Sequence, residues 1–218
     1  MRVIFNDLLQ TSDAPAALKT PALADTSTAN GLTVTFPASA KYNAIGIGNT
    51  SAPEIIVNGQ TITLEQPDTN GLYMLPQEYE QNTVTLSISS EYTVGRIAVG
   101  FAHSVGLSPA REPGFWSTNN SRTTLSGQVI AGVGGVTGRK ITVDVRYKLT
   151  REMVADIEAA YPSQIGRDFP LFVDFLDCSD SSRYPWPRLY AATDKNIVLQ
   201  SSVRRFLYSK KWTFEERY

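Results

Sequence analysis

The chain has 218 residues, 42% of them apolar and 19% charged, with a formal net charge of −1 at pH 7. That length suits one large or two small domains with a real core, and the near-neutral charge gives no reason to expect a nucleic-acid or membrane partner. The single cysteine, Cys178, excludes an intrachain disulfide and suits a reducing cytoplasm.

The first residues lack the apolar core of a signal peptide, and no window approaches the roughly 18 apolar residues of a membrane span. The expectation is a protein made and assembled in a cytoplasm. Charge is unevenly placed. Residues 1–110 carry 4 basic and 9 acidic side chains, a net −5, whereas residues 111–218 carry 16 and 12, a net +4. Two domains with different surfaces account for this asymmetry, as do opposite faces that stack on neighbouring subunits.

In chain order, residues 2–5 read as a short strand. Residues 11–31, rich in Ala, Thr, Ser and Pro, lack both the helical and the strand period and read as a long surface loop. Strands are expected at 32–36 and at 42–49, where Ala44 and Gly46 alternate with Ile45 and Ile47. Residues 54–64 read as a hairpin, because Asn58-Gly59 at its centre suits a type I′ turn. Further strands are expected at 72–75, 82–89 and 92–101. About seven short strands without a helix make the pattern of an antiparallel β-sandwich. Residues 107–114, with two prolines and a glycine, read as the boundary between domains 1–108 and 109–218.

The second half reads as a strand at 123–131, a glycine-rich turn at 132–138, and a strand at 140–148. In the last of these Ile141, Val143, Val145 and Tyr147 share one face. Then the period changes. Thr150 suits a helix N-cap, and Leu149 and Val154 occupy the two positions of a hydrophobic staple. Met153, Val154, Ile157, Ala160 and Tyr161 share one helical face, while Asp156 and Glu158 point elsewhere. Pro162 stops the helix, which therefore covers about 150–161 and is the one helix expected. The apolar run 170–176 reads as a central strand, followed by short strands at 188–192 and 196–201. A closing strand at 206–218 puts Phe206, Tyr208, Trp212 and Phe214 on one face.

No constellation in the sequence carries a reaction. His103, the one histidine, sits beside Ser104, but strand neighbours face opposite ways, and a catalytic role needs a base oriented by a third group. It reads as a polar residue at a strand end. Asp174, Asp177 and Asp180 lack the central Gly and distal Glu of a calcium loop. The glycines of 132–138 lead into a strand, so no helix N-terminus is there to hold a phosphate. Glu78 with Glu80, or Glu215 with Glu216, would supply paired carboxylates for glycoside hydrolysis, yet spacing alone does not place them. Tyr73, Tyr79, Tyr92, Phe115, Trp116, Tyr184 and Trp186 lie in or near loops, where aromatics mark protein interfaces more than sugar platforms. The expectation is therefore no catalytic residue, no metal, no cofactor and no enzyme. The candidate interface is Trp116, Val133, Gly134, Gly135, Val136, Thr137, Trp186, Phe206, Tyr208, Trp212 and Phe214.

Two resemblances follow from these segments. YNAIGIGN at 42–49, the EIIVNGQTITL hairpin and the Val94-Gly95-Arg96-Ile97 strand resemble the galactose-binding-like jelly-roll sandwich, whose members bind sugars or proteins through loops at one end. The second half is similar to structural proteins of tailed bacteriophages. Its order of polar strand, glycine-rich hairpin, KITVDVRYKL strand, single helix, apolar strand and closing FLYSKKWTFEERY strand resembles that of the tail-tube-type sandwich. Tube proteins use it, as does the belt domain of distal tail proteins. In distal tail proteins the ring-forming domain comes first, whereas the order here is reversed. The resemblances imply two β-sandwich domains and a non-enzymatic virion part at the tail tip or baseplate. Its partners would be copies of itself in a ring and other tail proteins. The alternative they imply is a lectin-like protein that recognises host glycan.

Overall fold

The computed structural model describes residues 1–64, 70–105, 107–117, 122–123, 129–130, 137–145, 149–162, 170–175, 188–193, 200–201, 207–208 and 211–216. Among the described residues the chain is mostly β, in several antiparallel sheets with two α-helices. In order, the first half gives β1 (Arg2–Ile4), a 3-10 turn (Leu8–Thr11), α1 (Ala16–Lys19), β2 (Leu32–Gly48), β3 (Glu54–Val57), β4 (Gln60–Thr63), β5 (Gly71–Ser87), β6 (Arg96–Gly100) and β7 (Ala102–Ser104). The second gives β8 (Leu107–Ser117), β9 (Arg122–Thr123), β10 (Val129–Ile130), β11 (Thr137–Val145), α2 (Arg151–Ala160), β12 (Leu171–Asp174), β13 (Arg188–Thr193), β14 (Gln200–Ser201), β15 (Leu207–Tyr208) and β16 (Lys211–Glu216).

Two large sheets organise the molecule. One has five strands in the order β4-β3-β5-β2-β6, the other seven in the order β7-β1-β12-β13-β16-β11-β8. The hairpin forms as its turn residues dictate. Asn58 and Gly59 both take positive φ, 49° and 79°, which type I′ geometry requires. β2 and β5 each run through segments expected as separate strands. The ladder shifts register between Thr35 and Ala40 and again between Tyr42 and Ala44, so irregularities interrupt the period without ending the strands.

Residues 107–114, where the domain boundary was read, form most of β8, an edge strand, which is where proline is tolerated in a sheet. Two further expectations are corrected. The single strand expected at 123–131 is instead a pair, β9 and β10, with Val129 opposite Thr123. The closing strand is also divided, with Leu207 and Tyr208 pairing β14 in a sheet of their own and only 211–216 joining the seven-stranded sheet.

Alternation along the strands sets the layers. Val3, Phe5, Leu171, Val173, Phe175, Trp212 and Phe214 pack with Met153, Val154 and Ile157 of α2. The alternate residues Ile4 and Phe172 face the opposite way, onto Ala44, Leu72 and Ala98 of the five-stranded sheet. Gly46 is what lets the sheets approach. A Cβ there would lie 2.1 Å from Phe172 Cδ2. On the far side, Ile45, Ile47, Ile97 and Val99 pack with Leu9, Ala14 and Leu18. The expected surface loop at 11–31 is largely exposed, but Ala14, Leu18 and Ala29 turn inward and cover this core. Its apolar residues follow no single period because α1 has only four residues.

α2 matches its sequence signals. Thr150 Oγ1 accepts from the Met153 N–H at 3.2 Å, and Leu149 and Val154 are both buried. β12, read as a central strand, lies between β1 and β13. The boundary read at 108/109 falls inside β8, and β1 and β7 lie in the sheet otherwise built by the second half.

Candidate functional site

A cleft of about 530 Å³ opens where α2 meets the first half of the chain. α2 contributes Glu152 and Asp156 from its polar face. β2 contributes Lys41 and β5 contributes Glu78. Asn6 and Leu8 come from the N-terminal segment, and Phe101 and His103 from the β6–β7 stretch.

The centre of the cleft is a pair that lies 53 residues apart in sequence. His103 Nε2 is 2.7 Å from Asp156 Oδ2. A carboxylate oxygen only accepts, so Nε2 carries the proton of this bond. His103 is 5% exposed, whereas the Asp156 side chain is 31% exposed. The imidazole sits near the rings of Phe5 and Phe101, with centroids 6.0 and 5.1 Å away. Phe5 in turn meets Trp212 edge-on at 5.5 Å. The histidine is thereby held by a carboxylate on one element and by aromatics from two others.

A carboxylate-held histidine meets part of the requirement for general-base chemistry. A nucleophile is the part not brought in. No Ser, Thr or Cys lines the cleft among the described residues, and Ser104 is exposed, as strand alternation demands. No group of three metal-ligating side chains exists among the described residues. Lys41 lies 3.8 Å from Glu78 and 3.9 Å from Glu80, all three exposed, so Glu78 and Glu80 share a lysine rather than forming an isolated acid/base pair. Glu215 likewise pairs with Lys140, at 3.3 Å.

A second polar centre is structural. Arg96 of the Val-Gly-Arg-Ile stretch is 1% exposed and Asp7 4%, and Arg96 Nη2 donates to Asp7 Oδ2 at 2.5 Å. Asp7 also accepts from the Leu9 and Val99 N–H groups at 3.0 and 3.1 Å, and Arg96 reaches the Lys19 carbonyl. This arginine fastens the N-terminal cover to β6. A third centre surrounds the Tyr42 hydroxyl. It donates to the Thr83 carbonyl at 2.9 Å and accepts from the Asn58 and Gln81 amides at 2.8 and 2.5 Å. Burial pushes the Tyr42 phenol above its ordinary value, partly opposed by the amides of Asn58 and Gln81.

Of the interface residues read from sequence, Trp116, Thr137, Tyr208, Trp212 and Phe214 lie among the described residues. Trp212 and Phe214 are 1% and 0% exposed. Their alternation marks the core face of β16, so these two side chains are already covered within the chain. Trp116 lies in β8 opposite Gly138, Thr137 opens β11, and Tyr208 lies in β15. Val133, Gly134, Gly135, Val136, Trp186 and Phe206 lie outside the described residues, as do Asp177 and Asp180. Of the segment 132–138 read as a glycine-rich turn, Thr137 and Gly138 are already part of β11. Of the loop aromatics, Tyr73 is buried and Tyr79 stacks on Tyr42 at 5.4 Å.

Sequence reading did not bring Asp156 to His103. The available signal was an acidic residue off the apolar face of a helix, together with a lone histidine at the junction of the halves. Comparison with known proteins returned no match among family models, curated proteins or solved structures.

Proposed function

We propose that this chain is a non-enzymatic structural subunit of a tailed-phage virion, placed at the tail tip or baseplate. In this reading it is made in the host cytoplasm and joins copies of itself in a ring together with other tail proteins. The first half corresponds to a galactose-binding-like jelly-roll and the second to a tail-tube-like sandwich. The observation that supports the reading is the seven-stranded antiparallel sheet with α2 packed on one face and an 11-residue strand, β8, at its edge. A long edge is a ready template for a strand from a neighbour. The unequal charge of the two halves suits head-to-tail docking, in which each copy shows different faces to left and right. Contacts are assigned to β8 with Trp116, to the 133–137 segment and to Trp186.

The test is solution mass by light scattering over a concentration series. A discrete ring-sized species is expected, and deletion of residues 133–137 should leave a folded monomer that does not assemble. A wild-type chain that stays monomeric at high concentration, and is not incorporated by partner tail proteins, sinks the reading.

The cleft favours a second reading, recognition of a host-surface glycan. Its volume lies within the range usual for small-molecule sites, about 300–1,000 Å³, and its lining mixes hydrogen-bonding groups with an aromatic ring.

A further inference from the structure

We propose that the His103–Asp156 cleft binds a short, uncharged saccharide. This inference rests on the glycan reading and locates it between α2 and the five-stranded sheet, away from the sandwich-end loops where the jelly-roll resemblance would put a ligand.

Chemistry narrows the occupant. Glu78, Glu152 and Asp156 face the cleft against Lys41 and His103, so an anion such as a phosphate or nucleotide meets carboxylates first and is disfavoured. An apolar ligand would strip water from charged groups without replacing their hydrogen bonds. A cation is a weaker fit, because Glu78 already shares Lys41 and Asp156 already accepts from His103. What remains is a neutral molecule dense in hydroxyls, each able to donate to a carboxylate and accept from Lys41 or the Asn6 amide. The half-buried Phe101 ring beside His103 offers a face for the C–H side of a sugar ring. The polar groups come from α2, β2 and β5, elements whose packing fixes their positions.

His103 is the one histidine, so its ring nitrogens give a single, assignable NMR signal set in the full chain. The experiment titrates nitrogen-15-labelled protein with glucose, galactose, N-acetylglucosamine and their β-linked disaccharides. Concentrations run to about 50 mM, enough to register millimolar dissociation constants. At least one should shift the His103 ring signals saturably. Glu152→Gln and Lys41→Ala, both at exposed positions, should each weaken that saccharide about tenfold, the scale of a lost charge-assisted hydrogen bond, with an unchanged melting temperature. Three outcomes overturn the proposal. Saccharide binding that leaves His103 and both variants unaffected removes this site but keeps the glycan reading. No saccharide binding at all removes both. A shift with putrescine or methylguanidinium alone assigns the cleft to cations instead.

Discussion

The Tyr42 hydroxyl is fully engaged, with one hydrogen bond donated and two accepted inside the five-stranded sheet. Its raised titration gives a signed prediction. Below pH 10 the phenol is neutral whether the chain is folded or not. As pH rises past 10 the unfolded chain loses this proton while the folded chain keeps it, so Tyr42's contribution falls with rising pH. Tyr42→Phe deletes the hydroxyl and leaves the Asn58 and Gln81 amides facing a ring edge. It should cost about 0.5–1.5 kcal/mol at neutral pH, the net worth of a hydrogen bond whose partners are half-buried. Urea midpoints from pH 8 to 11 should then show the gap between wild type and variant narrowing above pH 10. A constant gap contradicts the assignment. Little of this was legible beforehand. Asn58 announced a turn through its neighbour Gly59, but nothing local marked it as a partner for a tyrosine 16 residues away. Arg96 had the same fate. Its motif marked a strand, whereas its partner Asp7 lies 89 residues earlier.

At the scale of elements, signals carried within one turn or one strand were the ones that could be read. The Thr150 cap and the staple predict α2 because both are local, and Asn58-Gly59 predicts the β3–β4 hairpin for the same reason. What failed depended on partners. The prolines at 109 and 113 argued against a strand there, and only β8's place at the edge of the sheet makes them compatible with one. The Ala44/Gly46 alternation was visible, but its meaning lies in Phe172, a residue of another sheet. Gly46→Ala puts a methyl group 2.1 Å from the Phe172 ring. Both neighbours are held by sheets, so the ring must leave its preferred position, at a cost of about 1–3 kcal/mol. Phe172→Leu alone leaves a gap in the same layer and should also destabilise. Combined with Gly46→Ala it should recover part of the loss, giving a coupling of about 0.5–3 kcal/mol, the range seen for residues in contact. Strictly additive urea midpoints in that cycle mean the two sheets do not meet there.

Across the whole molecule, the two halves are tied by what the first residues do. β1 inserts between β7 and β12 and so carries the sheet of the second half. Its side chains serve two layers at once, Val3 in the core beneath α2 and Ile4 against Phe172, with Phe5 just beyond it against Trp212. Each fully buried side chain of this kind contributes about 1.5–3 kcal/mol, and three of them match a large share of the roughly 5–15 kcal/mol that holds a domain folded. A fragment of residues 109–218 lacks all three. It also lacks β7 and leaves one edge of β12 bare, an open edge prone to aggregation. It should therefore give a collapsed NMR spectrum or precipitate when made alone. Co-expression with residues 1–108 should restore dispersed signals, because that piece supplies β1 and β7 together. A dispersed, cooperatively melting fragment 109–218 on its own means that the second sheet closes without β1. In that case the His103–Asp156 cleft is a seam between two independent domains rather than a feature of one fold.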